Sequence, residues 1–330
     1  MSEQLAVQAA PTLDERKRER AIYVAYRVGE WVVNALPRWL VLAVAAAAGN
    51  VAYDVAGGKR ELVRDNLSRP MRLPGDHPRV GRAARRAFRA YAKYLVDMMR
   101  MATLTPEAAE RLVRVENPEI LEEARRSGGT GVLVCTVHVG GMDLIGPALQ
   151  RVGETLNVVA DDTTYGRLYD HLAAIRRRNG MFLIGWRSLR GLFRALRAGE
   201  NVVLFCDGGY RRGDVPVEFC GEATTFPAGP ATLSARTGAA MVPATCRRTR
   251  TDHFVAAGMP LIHARGTDPA SIQRATQQLA DELSAVIRQD PGQWYMFRPV
   301  WPQTDAERAA ARAALDAARA GEDWTRRPAS

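Results

Sequence analysis

The chain has 330 residues, 47% of them hydrophobic; this is enough to bury a core as one large domain or two modest ones, and it excludes a globally disordered protein. A formal charge of +10, almost all of it arginine, points to a polyanionic partner or surface: lipid phosphates, an anionic membrane, nucleic acid or coenzyme A. Four cysteines, Cys135, Cys206, Cys220 and Cys246, show neither CxxC pairing nor a disulfide framework, as expected of a reducing compartment.

Residues 1–13 read as a loose polar tail, and the charged run behind them lacks the apolar core of a secretory signal. A helix is predicted from about Glu15, with Ile22, Ala25, Tyr26, Val32 and Val33 close to one face and Gly29 weakening it. The apolar run Trp39–Tyr53, about 15 residues and rich in alanine, is short for a membrane span. It is predicted to lie at an interface or in the core. With the basic turn before it, it suits monotopic attachment to anionic headgroups. Residues 59–115 are predicted to be all-helical, the basic stretch 80–101 carrying an apolar stripe through Ala87, Tyr91, Tyr94, Leu95 and Met98.

From Gly131 the pattern changes. Residues 131–137 form a continuous β-rich run with glycines nearby, the signature of a strand buried on both faces. Further strands are predicted at 155–160, 181–186, 201–207, 240–246 and 254–261, and helices at 165–179, 187–199, 228–237 and 268–288. The alternation predicts an α/β fold, a central and mostly parallel sheet flanked by helices. An Ala/Arg-rich helix follows from Thr304 and ends in a polar stub. The expected organisation is therefore a tail (1–13), a helical membrane-associating region (14–115), an α/β core (116–303) and a C-terminal helix with its stub (304–330).

The stretch Val137-His138-Val139-Gly140-Gly141-Met142-Asp143 carries the chemistry. It stands where a buried strand ends, the place where α/β sheets gather catalytic groups. In an ideal helix His138 and Asp143 would point about 140° apart. They converge only with His138 in a turn and Asp143 in the first helical turn, which Gly140 and Gly141 permit. A carboxylate so placed fixes the imidazole tautomer and leaves the other ring nitrogen to take a proton from an alcohol. The bland alternative is a helix-capping aspartate beside a satisfied histidine. Pro227-Ala-Gly229-Pro230 before a helix offers free N–H groups to a phosphate or oxyanion, or is simply a proline-initiated helix. Cys206 reads as a buried strand cysteine. No G-x-S-x-G elbow, H-E-x-x-H or carboxylate cluster appears, so neither a serine nucleophile nor a metal is expected.

His138-x4-Asp143 resembles the HX4D signature of the glycerolipid acyltransferase superfamily, and more closely its branch of lipid A lauroyl/myristoyl and phosphatidylinositol mannoside acyltransferases. Residues 215–244 are similar to that branch's strand, P-x-G-P turn and TGA-ended helix. Arg176 and Gly180 fall where it has an arginine and a glycine. Trp294 to Trp301 matches its closing W-x6-W. The resemblance spans roughly residues 20–305 and implies an enzyme, a membrane-associated O-acyltransferase on the cytoplasmic face of the inner membrane. Its donor would be acyl-CoA or acyl-ACP, with no cofactor and no nucleic-acid partner, and its acceptor a hydroxyl of a glycolipid. A lysophospholipid acyltransferase or a non-catalytic lipid-binding adaptor are the alternatives. Asp207, after the strand 201–205, stands where mannoside acyltransferases carry an acidic partner of the histidine. Either it or Asp143 would orient His138. Gly140, Gly141, Arg176, Arg212, Pro227 and Gly229 would contact substrate. Departures fall at Met142, at Val139-Gly140 and at Asp161-Asp162, on loops expected to face the acceptor.

Overall fold

The computed structural model describes residues 13–150, 152–160, 166–185, 188–249 and 252–325. Most of the expected tail, Asp161 and Asp162, Trp186 and the last five residues lie outside these ranges.

Four helices lead the chain: α1 (Leu13–Ala35), α2 (Arg38–Val55), α3 (Gly57–Met71) and α4 (Pro78–Arg100). Pro37, which supplies no N–H, stands at the start of α2; Pro78 opens α4 behind His77, whose ring nitrogen accepts from Arg79 N–H. α2 packs along α4, and Gly49 makes this possible: a Cβ there would come within 2.7 Å of Arg89 Cα. α2 and α3 meet at 98°, and among the described residues no single helix is long and apolar enough to cross a membrane. The face expected to be buried on α1 is shifted. Ala25 and Val32 are exposed, whereas Glu30 is buried against His171 Nε2 at 3.0 Å. Polar pairing, invisible to apolar periodicity, sets the inward face there.

The all-helical expectation for 59–115 holds through α5 (Pro106–Leu112) and then fails at β1 (Val113–Val115), a three-residue strand too short to show alternation. After α6 (Ile120–Gly128) come β2 (Val132–Thr136), a 3₁₀ turn Met142–Leu144 and α7 (Ile145–Gln150). β3 (Leu156–Ala160), α8 (Gly166–Arg178), β4 (Met181–Gly185), α9 (Leu189–Arg197) and β5 (Asn201–Phe205) follow. The hairpin β6 (Val215–Phe219) and β7 (Glu222–Phe226) precedes α10 (Gly229–Thr237), β8 (Met241–Arg248), β9 (Phe254–Gly258), α11 (Pro269–Gln289) and α12 (Asp305–Arg319).

Seven strands form one sheet in the order β1-β9-β8-β2-β5-β3-β4, parallel except for the β8–β9 pair. β6 and β7 form a separate antiparallel ribbon packed on α11 and α12. β2 lies mid-sheet. Leu133, Cys135 and Val137 turn to the core shared with α9, α10 and α11, while Val132 and Val134 turn to the core shared with α6, α7 and α8. Burial on both faces explains the unbroken apolar run of this strand.

Candidate active site

The β2–β5 register builds the centre of the site. In this parallel pair Thr136 stands opposite Phe205, so the chain two residues beyond each strand end brings His138 beside Asp207. His138 Nδ1 lies 2.7 Å from Asp207 Oδ1. The backbone N–H of His138 and Trp294 Nε1 each donate to Asp207 Oδ2 at 2.9 Å. Asp207 is fully buried and accepts all three bonds, so it stays a carboxylate. Burial opposes its charge, and His138, Trp294 and the His138 amide outweigh that, holding its pKa below the ordinary value. An acceptor-only carboxylate places the proton of neutral His138 on Nδ1 and leaves Nε2 without a protein partner among the described residues. The His138 side chain is 43% exposed and its ring lies 4.5 Å, centroid to centroid, from that of Phe205. Burial disfavours the imidazolium, but the charge and hydrogen bond of Asp207 prevail, and the His138 pKa is raised.

Asp143 takes up a different task. It sits in the first turn after the glycines, yet no hydrogen bond or ion pair joins it to His138. Arg176 of α8 holds it through Nε–Oδ1 at 2.9 Å and Nη2–Oδ2 at 3.3 Å, and Tyr94 of α4 donates to Oδ2 at 2.5 Å. Burial resists its ionisation; the Arg176 charge overcomes that and lowers its pKa. Gly140 has φ +64°, and a Cβ on it would lie 2.1 Å from Cys246 O. The glycine pair thus lets the loop press against β8. The same packing uses up its amides, since Gly140 N–H donates to Gln293 O and Gly141 N–H to Cys246 O. Both amides are therefore spent inside the protein, and neither is left to face a substrate oxyanion.

Next to Phe205 lies an apolar cavity of about 780 Å³, open solvent at its mouth included. Val134, Met142, Asp143, Leu149, Phe205 and Val242 are among its lining residues. Phe205 touches both His138 and this cavity.

Residues 14–303 match the model of the family described as bacterial lipid A biosynthesis acyltransferase. The chain belongs to that family. It is an acyltransferase. It is similar to the phosphatidylinositol mannoside acyltransferase of Mycobacterium tuberculosis H37Rv, 29% identical over 289 residues, covering 84% of this chain and 87% of that one. The enzyme of the same name from Mycolicibacterium smegmatis is 28% identical over 284 residues, covering 84% of this chain and 90% of that one.

Other expected substrate contacts of the acyltransferase fall elsewhere. Arg176 is consumed by Asp143. Arg212 is exposed in the turn before β6. Pro227 and Gly229 lie at the start of α10, where a Cβ on Gly229 would meet open space. No hydrogen bond among the described residues ties Arg212, Pro227 or Gly229 to the His138–Asp207 pair. Conversely, Trp294, Tyr295 and Arg298 gain roles that residue-by-residue reasoning missed. Tyr295 N–H donates to His138 O at 3.2 Å and its hydroxyl to Gly140 O at 2.9 Å. Arg298 is exposed, and its charge bears on His138 and disfavours the imidazolium. Asn66 of α3 fixes this segment, donating to Met296 O at 3.1 Å and to Arg298 O at 2.8 Å. The W-x6-W spacing was the available signal, without any indication of which partner it serves.

Proposed function

We propose that His138, oriented by Asp207, is the general base of an O-acyl transfer from acyl-CoA or an acyl carrier protein to a glycolipid hydroxyl. The observation that carries this is the His138–Asp207 pair, with Nε2 unbonded among the described residues and Phe205 touching both its ring and an apolar cavity. Nε2 takes the proton of the acceptor hydroxyl as its oxygen attacks the thioester carbonyl. The resulting imidazolium, stabilised by Asp207, returns the proton to the departing thiolate. No acyl-enzyme is needed. The cavity suits the apolar acyl chain, which would place the thioester beside Phe205 and His138. Asp143 positions the loop by joining Tyr94 and Arg176, and Arg298 faces the phosphate-bearing part of a substrate.

The acceptor reading follows the relatives: a phosphatidylinositol mannoside-like lipid first, a lipid A-like one second. Attachment to a membrane, on this reading the cytoplasmic face of the inner membrane, has support for the contact itself in large apolar residues left exposed on α1 and α2, including Val28, Trp31, Trp39, Val44, Val51 and Val55. Thiol release from palmitoyl-coenzyme A by detergent-purified protein, with mixed membrane glycolipids, tests the proposal. Release that needs lipid and disappears in His138→Ala supports it. Release unchanged in that variant removes His138 as the base.

A further inference from the structure

An open groove of about 960 Å³ lies between the α1–α2 corner, the C-terminal end of α4, and α5. It shares no lining residue with the apolar cavity next to Phe205. Arg38 from the start of α2, Arg100 from the last turn of α4 and Arg111 from the last turn of α5 line it. One carboxylate, Asp97, stands against these three guanidinium groups in the lining. Asp97 is buried and already divided: Arg38 Nη1 meets Oδ1 at 3.0 Å, and Arg248, from outside the groove, holds the other oxygen. Arg100 donates to the neutral carbonyls of Val33 and Leu36 at the end of α1, at 2.8 and 3.2 Å. The groove lining thus sets three guanidinium groups against one carboxylate, and Arg38 lies close enough for its charge to bear on Arg100. Leu104, Leu112 and Leu144 give it an apolar wall. Leu36 and Trp39, close to Arg38 in sequence, are 39% and 72% exposed and put apolar surface of α1 and α2 near the groove.

We propose that this groove binds the phosphate-bearing headgroup of an anionic membrane lipid, a site separate from the one that carries out acyl transfer. The inference rests on the membrane association proposed above. Arginine forks match phosphate oxygens, the leucine wall suits the first carbons below a headgroup, and exposed Trp39 offers an indole of the kind that partitions to the membrane interface. Such a site would anchor the enzyme in one orientation, with α2 against the leaflet.

The test is co-sedimentation of the full chain with vesicles of phosphatidylcholine alone and of phosphatidylcholine with phosphatidylglycerol. Arg100→Gln/Arg111→Gln is compared with Arg190→Gln/Arg194→Gln, a pair of exposed arginines on α9 across the sheet. At about fivefold per arginine, the groove pair should lose roughly 25-fold in affinity for the anionic vesicles, and the α9 pair less than about twofold. Arg111→Gln alone, which leaves the Arg100 bonds to α1 intact, should lose about fivefold and keeps the test independent of folding. Groove variants that bind anionic vesicles like wild type, or an α9 pair that loses as much, would overturn the site. So would displacement by millimolar inorganic phosphate at constant ionic strength, which would mean a free-phosphate site. Wild-type protein that ignores both vesicles would sink the membrane reading and this site together, while thiol release dependent on His138 would still stand.

Discussion

At Asp207 three donors converge on one buried carboxylate, two of them from His138 itself. Replacing it with asparagine keeps the shape but removes the charge and allows the wrong imidazole tautomer. Asp207→Asn should lower kcat about 10²–10⁴-fold with little change in KM. The pH profile gives a sharper test. The base form of His138 is neutral and its pKa is raised, so activity should be lost as pH falls through a value above that of ordinary histidine. In Asp207→Asn the acidic limb should move to lower pH; a limb that stays in place would assign the titration to another group. His138 was legible in the sequence because a buried strand run ends just before it and two glycines follow. Asp207 stayed one of two candidates, since nothing local tells which carboxylate meets a ring nitrogen 69 residues away.

That choice was made by the elements. Parallel pairing of β2 with β5 sets the offset that joins His138 to Asp207, and strand partners are not written in either strand's own residues. The short β1 and the β7 half of the hairpin escaped prediction for a related reason: each is stabilised by its neighbours rather than by its own periodicity. Asp143 stands in the 3₁₀ turn after the glycines, but its partners come from α4 and α8 and not from His138. Asp143→Ala would strand Arg176 as an unpaired buried charge and should cost about 3–5 kcal/mol, visible as a large fall in Tm. A variant as stable as wild type would show that Arg176 does not need this carboxylate. Gly140→Ala meets both a positive φ and the Cys246 carbonyl. It should displace the histidine loop, costing about 1–3 kcal/mol and most of kcat, as read by thermal melting and initial rates.

On the scale of the whole molecule, the sheet's two faces divide the work. The layer of α9, α10 and α11 seals one core, while on the other face the layer of α6, α7 and α8 leaves an apolar cavity that reaches Phe205, next to His138. Val134→Phe, on the cavity-lining face of β2, should shift donor preference toward shorter acyl chains without abolishing transfer, measured as kcat/KM across a series of acyl-CoA lengths. Unchanged preference would mean the chain lies elsewhere. The α/β class, most strand and helix positions, the histidine at a strand end and the family resemblance could all be read from the chain alone, because periodicity, glycine placement and short motifs are local properties. The packed fold was needed to show that Asp207 pairs with His138, that Asp143 braces Arg176 and Tyr94, that the Gly140 and Gly141 amides are spent, and that Trp294 and Tyr295 close the site. Each of these is a contact between segments tens to hundreds of residues apart, fixed by strand register and helix packing rather than by any neighbouring residue.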